Sequence, residues 1–492
     1  MLRKIKQSEY LLAAFGFTLA VCASQQSCKC RPSDPCWPAP NDWNQLNDTV
    51  NGHLIRTTPP GIACCLGEFY NKTACEMITS VYQSSDLIAK NPYMIDFPGY
   101  AGDPCPQTTI HNQRALHAME SAMISLGGEN VRLVFDFTPE GCAVSMKGQN
   151  AVTISPGMQW QDMYRFADEP NSIIVGGGAS TVGCIGGFLQ GGGHSPLSSI
   201  YGLAVDQVLE MKVVLPSGEY ITANDYQNQD IYWALGGGGP STFGVVTSAT
   251  VKSFPSQPWY GKNITLVVFN QTFPSFYKYF KDNFVDYAVT SGAPILASRL
   301  LTRRSLTDNV PLLHDTLKLN FETTGILQGH IVAGRGVAQH KNVSMALNPA
   351  WRETYSHIIA STGFENNRTG RVEQMEVARD VLEYAWRQLS PNSGTYLSET
   401  FINSKFWQST YWGENYSRLF AIKAKYDPHN MLYCVNCVGS ERLIEIRAKE
   451  EGQRAPQALA VLVTTLELSG QGLTFRLRSS LFGSMTSLSC FG

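Results

Sequence analysis

"GGFLQGGGHSPLSSIYGLAVDQ", residues 186–207, places five glycines in eight positions and continues directly with His194, Ser195 and Pro196. Glycine loses more conformational entropy on folding than any other residue, so ordering five of them in one short stretch is costly. Two interpretations account for such a stretch. It forms a set of tight turns, or its backbone must approach a ligand more closely than side chains would allow.

Two more glycine clusters, Gly176–Gly178 and Gly236–Gly239, lie in the same part of the chain. Each cluster alone is compatible with tight turns. Main-chain N–H groups that are not shielded by side chains can reach a flat or anionic ligand, as they do at nucleotide phosphates. Three clusters between strand-like segments therefore favour a large nucleotide ligand.

The familiar alternatives to such a site are missing from the sequence. No G-x-G-x-x-G follows a predicted strand, and there is no Walker A sequence, no G-x-S-x-G elbow and no H-E-x-x-H. Cys434-x-x-Cys437 resembles a redox or zinc motif, but it has no second pair at zinc spacing and therefore favours a disulfide. We expect no metal site.

The composition is that of a folded, soluble protein. Of the 492 residues, 43% are hydrophobic and 16% are charged, which is enough to bury large cores. This length corresponds to roughly two or three domains. The net charge of −2 gives no electrostatic basis for binding nucleic acid.

The N-terminus has the pattern of a secretory signal peptide. A basic start at residues 3–6 precedes a short apolar run at 11–21, and Val21-Cys22-Ala23 supplies the small-x-small pattern of a cleavage site. The apolar run is too short to span a bilayer. We expect residues 1–23 to be removed, the mature chain to be secreted, and no stable membrane anchor. The alternative is a cytosolic protein with an apolar N-terminal helix.

Cysteines and glycosylation sequons also indicate secretion. Loss of Cys22 leaves twelve of the thirteen cysteines, an even number suited to disulfides in an oxidising compartment. Six of them crowd into the start of the mature chain: Cys28, Cys30, Cys36, Cys64, Cys65 and Cys75. The candidate glycosylation sites are Asn47, Asn71, Asn263, Asn270, Asn342, Asn367 and Asn415.

Local patterns predict an α+β domain over residues 106–255. The segment before it, 24–105, is rich in Cys, Pro and Asn and has few periodic runs. Apolar periodicity and turn signals predict helices at Ile110–Met123 and Trp160–Phe166, strands at Val131–Phe137, Val152–Ile154, Ser172–Val175 and 243–255, and a hairpin over 208–223.

The stretch from Val175 to Pro255, with its three glycine clusters, strongly resembles the FAD domain of oxygen-dependent FAD-linked oxidases. These form the vanillyl-alcohol-oxidase and berberine-bridge-enzyme-like superfamily, which has a flavin domain of the p-cresol-methylhydroxylase (PCMH) type. The stretches "CKCRPSDPCWP" (28–38), "NPAWR" (348–352) and "YDPHNMLYCVNCVGSE" (426–441) are similar to the secreted fungal branch found in secondary-metabolite gene clusters.

The resemblance implies an α+β fold: a two-part PCMH-type FAD-binding domain, and a substrate domain of antiparallel sheet covered by helices. The implied organisation is a signal peptide at 1–23, a Cys-rich segment at 24–105, the FAD-binding domain at 106–255, the substrate domain at 256–395, a berberine-bridge-like segment at 396–441 and an atypical tail at 442–492.

The resemblance also implies that backbone amides hold an extended FAD, with His194 at the wall of the flavin. The implied cofactor contacts are Gly176, Gly177, Gly178, Thr181, Gly183, Gly186, Gly191, Gly192, Gly193, His194, Ser195, Gly244, Val246 and Asn430.

The sequence departs from the family where the flavin is usually attached. Relatives carry a histidine in the loop after the strand that corresponds to Val131–Val134, but "VRLVFDFTPEGCAVSMKG" (131–148) has none and contains the acidic Asp136 and Glu140. The usual second anchor, a cysteine, is replaced by Ala179-Ser180. We therefore expect FAD to be held noncovalently.

By resemblance, the substrate loses hydride to flavin N5 while a base takes a proton, and dioxygen reoxidises the flavin to give hydrogen peroxide. The family's base segment aligns with Tyr396–Glu399, so Glu399 is the candidate base, with a pKa raised by an apolar flavin site. A structural role for Glu399 is the alternative. Tyr396 and Trp412 either line the pocket or belong to the core.

Three functions remain open on the sequence. The leading one is a secreted FAD-linked oxidase of a small organic substrate, such as a secondary-metabolite intermediate, with dioxygen as the second substrate. The second is a catalytically silent glycoprotein that keeps the fold without FAD. The third is a carbohydrate or simple-alcohol oxidase.

Overall fold

The strands consist largely of β-branched and other apolar residues, as the sequence patterns predict. Over the part of the chain that the computed structural model describes, they are β1 (Leu54–Arg56), β2 (Ala122–Ile124), β3 (Val131–Phe137), β4 (Gln149–Ile154), β5 (Ser172–Ile173), β6 (Val208–Val214), β7 (Tyr220–Asn224), β8 (Val245–Lys252), β9 (Phe254–Pro255), β10 (Ile295–Thr302), β11 (Leu327–Ile331), β12 (Thr354–Thr362), β13 (Leu466–Ser469) and β14 (Gly472–Phe475).

The α-helices are concentrated in the second half of the described chain. They are α1 (Pro40–Thr49), α2 (Lys72–Val81), α3 (Trp160–Asp168), α4 (Ser198–Tyr201), α5 (Gln229–Leu235), α6 (Arg303–Thr307), α7 (Val310–Thr324), α8 (Arg335–Gln339), α9 (Arg368–Val377), α10 (Glu383–Leu389), α11 (Trp407–Trp412) and α12 (Tyr416–Tyr426). Short 3₁₀ helices lie at Ala204–Gln207, Pro349–Glu353, Leu397–Glu399, Gly413–Asn415 and Ser440–Arg442, and π-helical segments at Cys184–Leu189 and Ala378–Leu382.

The structure describes residues 131–143, 148–240, 242–256, 295–325, 327–362, 368–400 and 404–442, with shorter pieces at 35, 37–49, 52, 54–56, 63, 70–81, 122–124, 466–469 and 472–475. The site discussed below lies in one compact unit, Asn44–Leu477. In the other unit, Met1–Trp43 and Arg478–Gly492, the described residues include Trp37 and Trp43, whose rings lie 5.7 Å apart.

A five-stranded antiparallel sheet carries the glycine-rich segments. Its strand order is β3-β4-β8-β6-β7, and β6 pairs with β7 as the predicted hairpin, with Val213 opposite Ile221. Helix α3 and the π-helical Cys184–Leu189 pack on this sheet and bury Met163 and Ile185. The segment of residues 174–207 therefore crosses an apolar core that fixes its backbone.

A second antiparallel sheet, of order β10-β12-β11, belongs to the predicted substrate domain. Strand β12 is central, so His357 pairs with Leu300 on one side and with His330 on the other. Helices α7 and α10 pack against this sheet, where Leu301 and Trp386 are completely buried. The α+β fold with a helix-covered antiparallel sheet is confirmed.

Most local predictions over 131–255 are confirmed, but the end of the predicted helix Ile110–Met123 is wrong. Ala122–Ile124 forms β2, which pairs antiparallel with β1, and residues 110–121 lie outside the described residues. Pairing with a distant strand outweighs a local helical period in these residues. Helix α3 and strands β3, β4, β5 and β8 occupy the predicted places.

The cysteines are only partly paired. Cys434 and Cys437 form the predicted disulfide, and Cys75 is also disulfide-bonded. Cys142 and Cys184 are free thiols, so the even number of cysteines does not mean that all of them pair. Cys184 is buried beneath the glycine segment, where burial raises the pKa of its thiol and keeps it protonated.

Candidate functional site

Three glycines of the predicted cofactor segment border open space. A Cβ at Gly178, Gly183 or Gly186 would meet no other atom within 4 Å, and all three residues are exposed. Gly183 has φ −66° and ψ 135°, a backbone that any residue can adopt. Packing therefore explains none of the three glycines, and the local backbone does not explain Gly183 either.

Most of the remaining glycines of the segment are enclosed by the protein's own atoms, whereas Gly187 has a single neighbour, Ser398 Oγ, 3.7 Å from an added Cβ. A Cβ at Gly176 would lie 2.4 Å from the ring of Trp160, and one at Gly193 would lie 2.7 Å from the ring of Phe188. Gly192 and Gly193 also have φ of +114° and +70°, which glycine adopts without strain. Packing and turn geometry explain these glycines.

Some backbone donors near the open glycines have no partner. Among the described residues, no acceptor pairs with the N–H groups of residues 178–181, although the carbonyls of Ala179 and Ser180 accept from Val182 and Gln161. Backbone N–H groups without a partner can bind an anion such as a pyrophosphate. Residues 178–181 are therefore the candidate pyrophosphate contact.

The glycine turn presents His194 to a cluster of polar side chains. His194 Nε2 donates to Glu399 Oε2 at 3.0 Å, and His357 Nδ1 lies 3.3 Å from the same oxygen. His194 follows the two positive-φ glycines, His357 comes from the central strand β12, and Glu399 ends the 3₁₀ helix Leu397–Glu399. Three distant parts of the chain meet here.

The candidate base is tied directly to the glycine segment. Ser398 Oγ donates to the carbonyl of Gly187 at 3.1 Å, and Tyr396 Oη donates to that of Phe188 at 3.4 Å. These bonds place Glu399 next to the open Gly186 edge.

The electrostatics of Glu399 differ from the expectation. Burial would raise the pKa of Glu399, but the hydrogen bond from His194 and the contact with His357 outweigh burial, so its pKa lies well below the usual range. The expected raised pKa is therefore wrong, because the two histidines were not foreseen as its neighbours. Glu399 is an ionised carboxylate.

The histidines beyond Glu399 are kept neutral. His357 is completely buried, and burial lowers its pKa more than Glu399 raises it. Neither ring nitrogen of His357 makes an aligned hydrogen bond in the described chain. The ring of His330, which lies 5.0 Å from that of His194, also has a pKa lowered by burial.

Aromatic rings surround the cluster. Tyr396 is buried, and its ring centre lies 5.4 Å from that of His194 in an edge-to-face arrangement, while the ring centre of Trp351 lies 6.2 Å from that of His194. Tyr396 therefore borders the site and belongs to the core at once. Trp412 is a core residue, since it is buried among Trp407, Tyr411 and Tyr416 and donates to the carbonyl of Gly237.

The other predicted cofactor contacts lie in the framework. Gly244 packs against Val213, and the side chain of Val246 is buried in the core. Asn430 is buried with φ +50°, and its Nδ2 donates to the carbonyl of Gly439. Ser195 is buried, and its N–H donates to Ser198. Thr181 is half-buried beside the open edge.

The segment that replaces the attachment loop is held by the hairpin. The Glu140 N–H donates to Glu210, its carboxylate accepts from Thr222, and its carbonyl accepts from Asn224. Two of these bonds fix the backbone of Glu140, and the one from Thr222 engages its carboxylate. Ala179 and Ser180 are exposed at the open edge.

Comparison with known proteins agrees with this geometry. A profile of the FAD binding domain matches residues 130–224, and one described as berberine and berberine like matches 395–436. The FAD-linked oxidoreductase patO of Penicillium expansum is 29% identical over 88% of this chain and 95% of its own length. The chain is thus similar to fungal FAD-linked oxidoreductases and, over residues 395–436, to berberine-like proteins.

Other relatives of this FAD-linked oxidoreductase are also fungal. The VAO-type flavoprotein oxidase VAO615 of Thermothelomyces thermophilus is 26% identical over 84% of this chain and 93% of its own length. The crystal structure of the VAO-type flavoprotein MtVAO713 from Myceliophthora thermophila C1 superposes with a TM-score of 0.68, at 23% identity, over 85% of this chain and 98% of that one. The fold of the flavoprotein is thus shared.

These findings make the protein an FAD-dependent oxidoreductase that acts on a small molecule. The two profile matches contain His194 and Glu399, whereas His330 and His357 lie outside both. Sequence reasoning missed these two histidines. The one available signal was a lone histidine in the otherwise apolar and hydroxylated stretch "TYSHIIAST" (354–362).

The described residues contain no helix that is both long and apolar enough to cross a membrane. Among the sequons, Asn71 and Asn342 are exposed, whereas Nδ2 of Asn415 donates to the carbonyls of Met345 and Leu347. Asn47 is half-buried, and Asn263, Asn270 and Asn367 lie outside the described residues.

Proposed function

We propose that this FAD-linked oxidoreductase is an oxidase of a small organic molecule with a C–H bond next to an alcohol or amine. The observation that carries the proposal is the attachment of the Tyr396–Glu399 segment to the glycine loop through Ser398 and Gly187. It puts an ionised carboxylate beside the one stretch of the segment that is open to a dinucleotide.

When bound, the flavin of FAD supplies a hydride acceptor at N5 and a route for passing two electrons to dioxygen, which leaves as hydrogen peroxide. The N–H groups of residues 178–181 would hold its pyrophosphate. Glu399 would accept the proton of the substrate's O–H or N–H group as the C–H bond breaks. Because the two histidines keep the pKa of Glu399 low, substrate binding must raise this pKa for the carboxylate to act as the base. Tyr396 and Trp351 are buried beside the cluster and would limit the access of water to it.

His194 positions Glu399 in this scheme. Its N–H fixes the orientation of Oε2 and leaves the second carboxylate oxygen free of any described partner. We expect FAD to be bound noncovalently, because neither the usual histidine nor the usual cysteine stands at its attachment position.

Secretion belongs to the same proposal. The signal-like residues 1–23, the disulfide Cys434–Cys437 and the exposed sequons Asn71 and Asn342 support passage through an oxidising, glycosylating compartment. A secondary-metabolite intermediate is the substrate class that the similarity to fungal cluster enzymes supports.

The test is to purify the full chain from a eukaryotic secretion host and record its visible spectrum before and after denaturation. We expect a flavin spectrum that denaturation releases into the filtrate, and peroxide production with a member of a panel of aromatic alcohols, amines, sugars and simple alcohols. Turnover of sugars or simple alcohols alone would redirect the proposal to a carbohydrate or alcohol oxidase. A folded, colourless chain that gains no spectrum with added FAD would overturn it in favour of a silent glycoprotein.

A further inference from the structure

The cluster around Glu399 contains more ligand atoms than proton transfer requires. His194, His357 and Glu399 each offer one ligand atom, and these atoms all lie within 4.8 Å of one another. The two nitrogens are 3.0 and 3.3 Å from the same carboxylate oxygen. At metal–ligand bonds of about 2.0–2.1 Å, neighbouring ligands of a tetrahedral ion are roughly 3.3 Å apart.

We propose that His194, His357 and Glu399 form a binding site for one divalent first-row cation of the zinc type. The sequence analysis expected no metal site, since the three ligands are spread over residues 194–399 and form no motif. Only the meeting of the glycine turn, strand β12 and the 3₁₀ helix Leu397–Glu399 brings them together.

The buried imidazole of His357 is the independent observation that favours a ligand. Its side chain is completely buried, yet neither nitrogen makes an aligned hydrogen bond in the described chain. The nearest partner of Nδ1 is Glu399 Oε2 at 3.3 Å, which is long for a hydrogen bond. A cation between these two atoms would replace the long contact with two metal–ligand bonds.

The charge of the cluster also suits a cation. The ion-pair partners of Glu399 among the described residues are the two histidines, and no Lys or Arg there pairs with it. A carboxylate without a permanently cationic partner attracts a cation.

The donor set limits the choice of ion. Two imidazole nitrogens and one carboxylate oxygen suit Zn²⁺ and its neighbours, whereas Mg²⁺ and Ca²⁺ prefer all-oxygen ligands. Three protein ligands leave a fourth position open, as in catalytic zinc sites, and the ring of His330 is the next imidazole, 5.0 Å from that of His194. The open position would face a substrate oxygen.

This site goes beyond the proposed oxidase function and does not depend on it. Oε2 of Glu399 cannot bind a cation and accept a proton at the same time. With the cation bound, the substrate would meet the cation. Without it, the substrate would meet the free carboxylate. Metal content is measured without turnover, which separates the two proposals.

The experiment uses the full secreted chain with whatever flavin it retains. It is stripped with a chelator, dialysed, and titrated with Zn²⁺ against a chromophoric competitor, and then with Co²⁺ while the visible d–d bands are recorded. We expect about one equivalent of either ion and the intense bands of a four-coordinate cobalt site with nitrogen and oxygen ligands. Binding of less than a tenth of an equivalent, or octahedral cobalt spectra only, would overturn the inference.

Variants identify the ligands. Glu399→Gln keeps the size of a half-exposed side chain and should weaken Zn²⁺ binding at least tenfold, and His357→Ala should do the same if it folds. The matched control is His314→Ala, which removes a surface histidine that lies 3.0 Å from Asp315 in an otherwise similar histidine–carboxylate pair. It should bind as tightly as the parent chain. Equal binding by Glu399→Gln and the parent would refute the assignment.

The flavin spectrum of the same samples keeps the two proposals apart. A colourless chain that binds one Zn²⁺ would reject the oxidase and retain the metal site. A yellow chain that binds none would do the reverse.

Discussion

The glycines of residues 176–239 look alike in the sequence, but the structure divides them into two groups. Gly176, Gly193 and Gly237 are surrounded by the chain's own atoms, whereas Gly183 and Gly186 face open space. The first group is glycine because the fold has no room for a Cβ. In the second group, the space around both residues would accept a Cβ, and at Gly183 the backbone angles would accept one too.

This difference separates what the fold requires from what a ligand requires. A residue that neither packing nor backbone angles force to be glycine leaves space for something outside the chain. The open group lies along the row of N–H groups at residues 178–181 and beside the segment that carries Glu399. The enclosed glycines Gly176 and Gly193 lie against the rings of Trp160 and Phe188, on the core side of that edge.

The largest effect is expected at Gly237, which belongs to the enclosed group. It has φ +113°, and an added Cβ would lie 2.6 Å from the backbone nitrogen of Leu347, which cannot move aside as a side chain can. Gly237→Ala should lower the free energy of unfolding by about 3–5 kcal/mol, from backbone strain and overpacking together. Denaturant unfolding of the secreted chain measures this loss.

Gly325→Ala is the matched control for that variant. Gly325 has φ +73° but no atom within 4 Å of an added Cβ, so it isolates the cost of the backbone angle, about 1–2 kcal/mol. If the two variants are equally destabilised, the enclosed group is defined by backbone angle alone and the comparison fails.

The next effect is expected at Gly183, in the open group. Gly183→Leu fits the local backbone but fills the open edge, so the chain should fold with unchanged stability while its affinity for added FAD falls at least about tenfold, or 1.4 kcal/mol. Flavin fluorescence quenching measures the affinity, and Gly183→Ala should give a smaller loss.

Gly329→Leu serves as the control for bulk at an exposed glycine. Gly329 lies on β11 with its nearest neighbours 3.7 Å from an added Cβ, and its side chain would point to the face opposite His330. Its FAD affinity should equal that of the parent. Unchanged affinity in Gly183→Leu as well would mean that the open edge is not the cofactor site.

The smallest effects come from two hydroxyls, one on each side of the segment. Tyr164 Oη donates to the carbonyl of Gly177 from below, so Tyr164→Phe should cost about 0.5–1.5 kcal/mol of stability and leave FAD affinity intact. Ser398 Oγ donates to Gly187 on the open side, so Ser398→Ala should show the reverse: intact stability and an affinity about threefold weaker. Thermal melts measure the stability of both variants, and FAD titrations measure their affinity. If both variants lose the same property, the two sides of the segment do not differ in function.

Much of the flavin-domain half could be predicted from sequence because its signals are local. The run Val131–Phe137, the hairpin over 208–223 and the amphipathic turn at Trp160 each depend on neighbouring residues, and each prediction is confirmed. The helix prediction for residues 122–124 was wrong. These residues form a short strand that pairs with the distant Leu54–Arg56, and such pairing leaves no local sequence pattern strong enough to outweigh a helical period.

The polar cluster could be predicted only in part. His194 and Glu399 were found because each lies in a recognisable motif, but their contact joins residues that no spacing relates. The wrong expectation for the pKa of Glu399 has the same origin, since two histidines from other elements set it. His357 is a buried mid-strand residue, and burial of that kind depends on the pairing of β12 with both neighbours.

The N–H groups of residues 178–181 also affect the stability of the newly folded protein. No acceptor among the described residues pairs with these donors, so an anionic dinucleotide that binds them would stabilise the folded state relative to the unfolded state. A tenfold excess of such a ligand over its dissociation constant adds about 1.4 kcal/mol to the folded state. The fraction of newly made chains that stays folded would then rise with the flavin concentration in the compartment where they fold. Cofactor concentration would therefore control the amount of the protein as well as its activity.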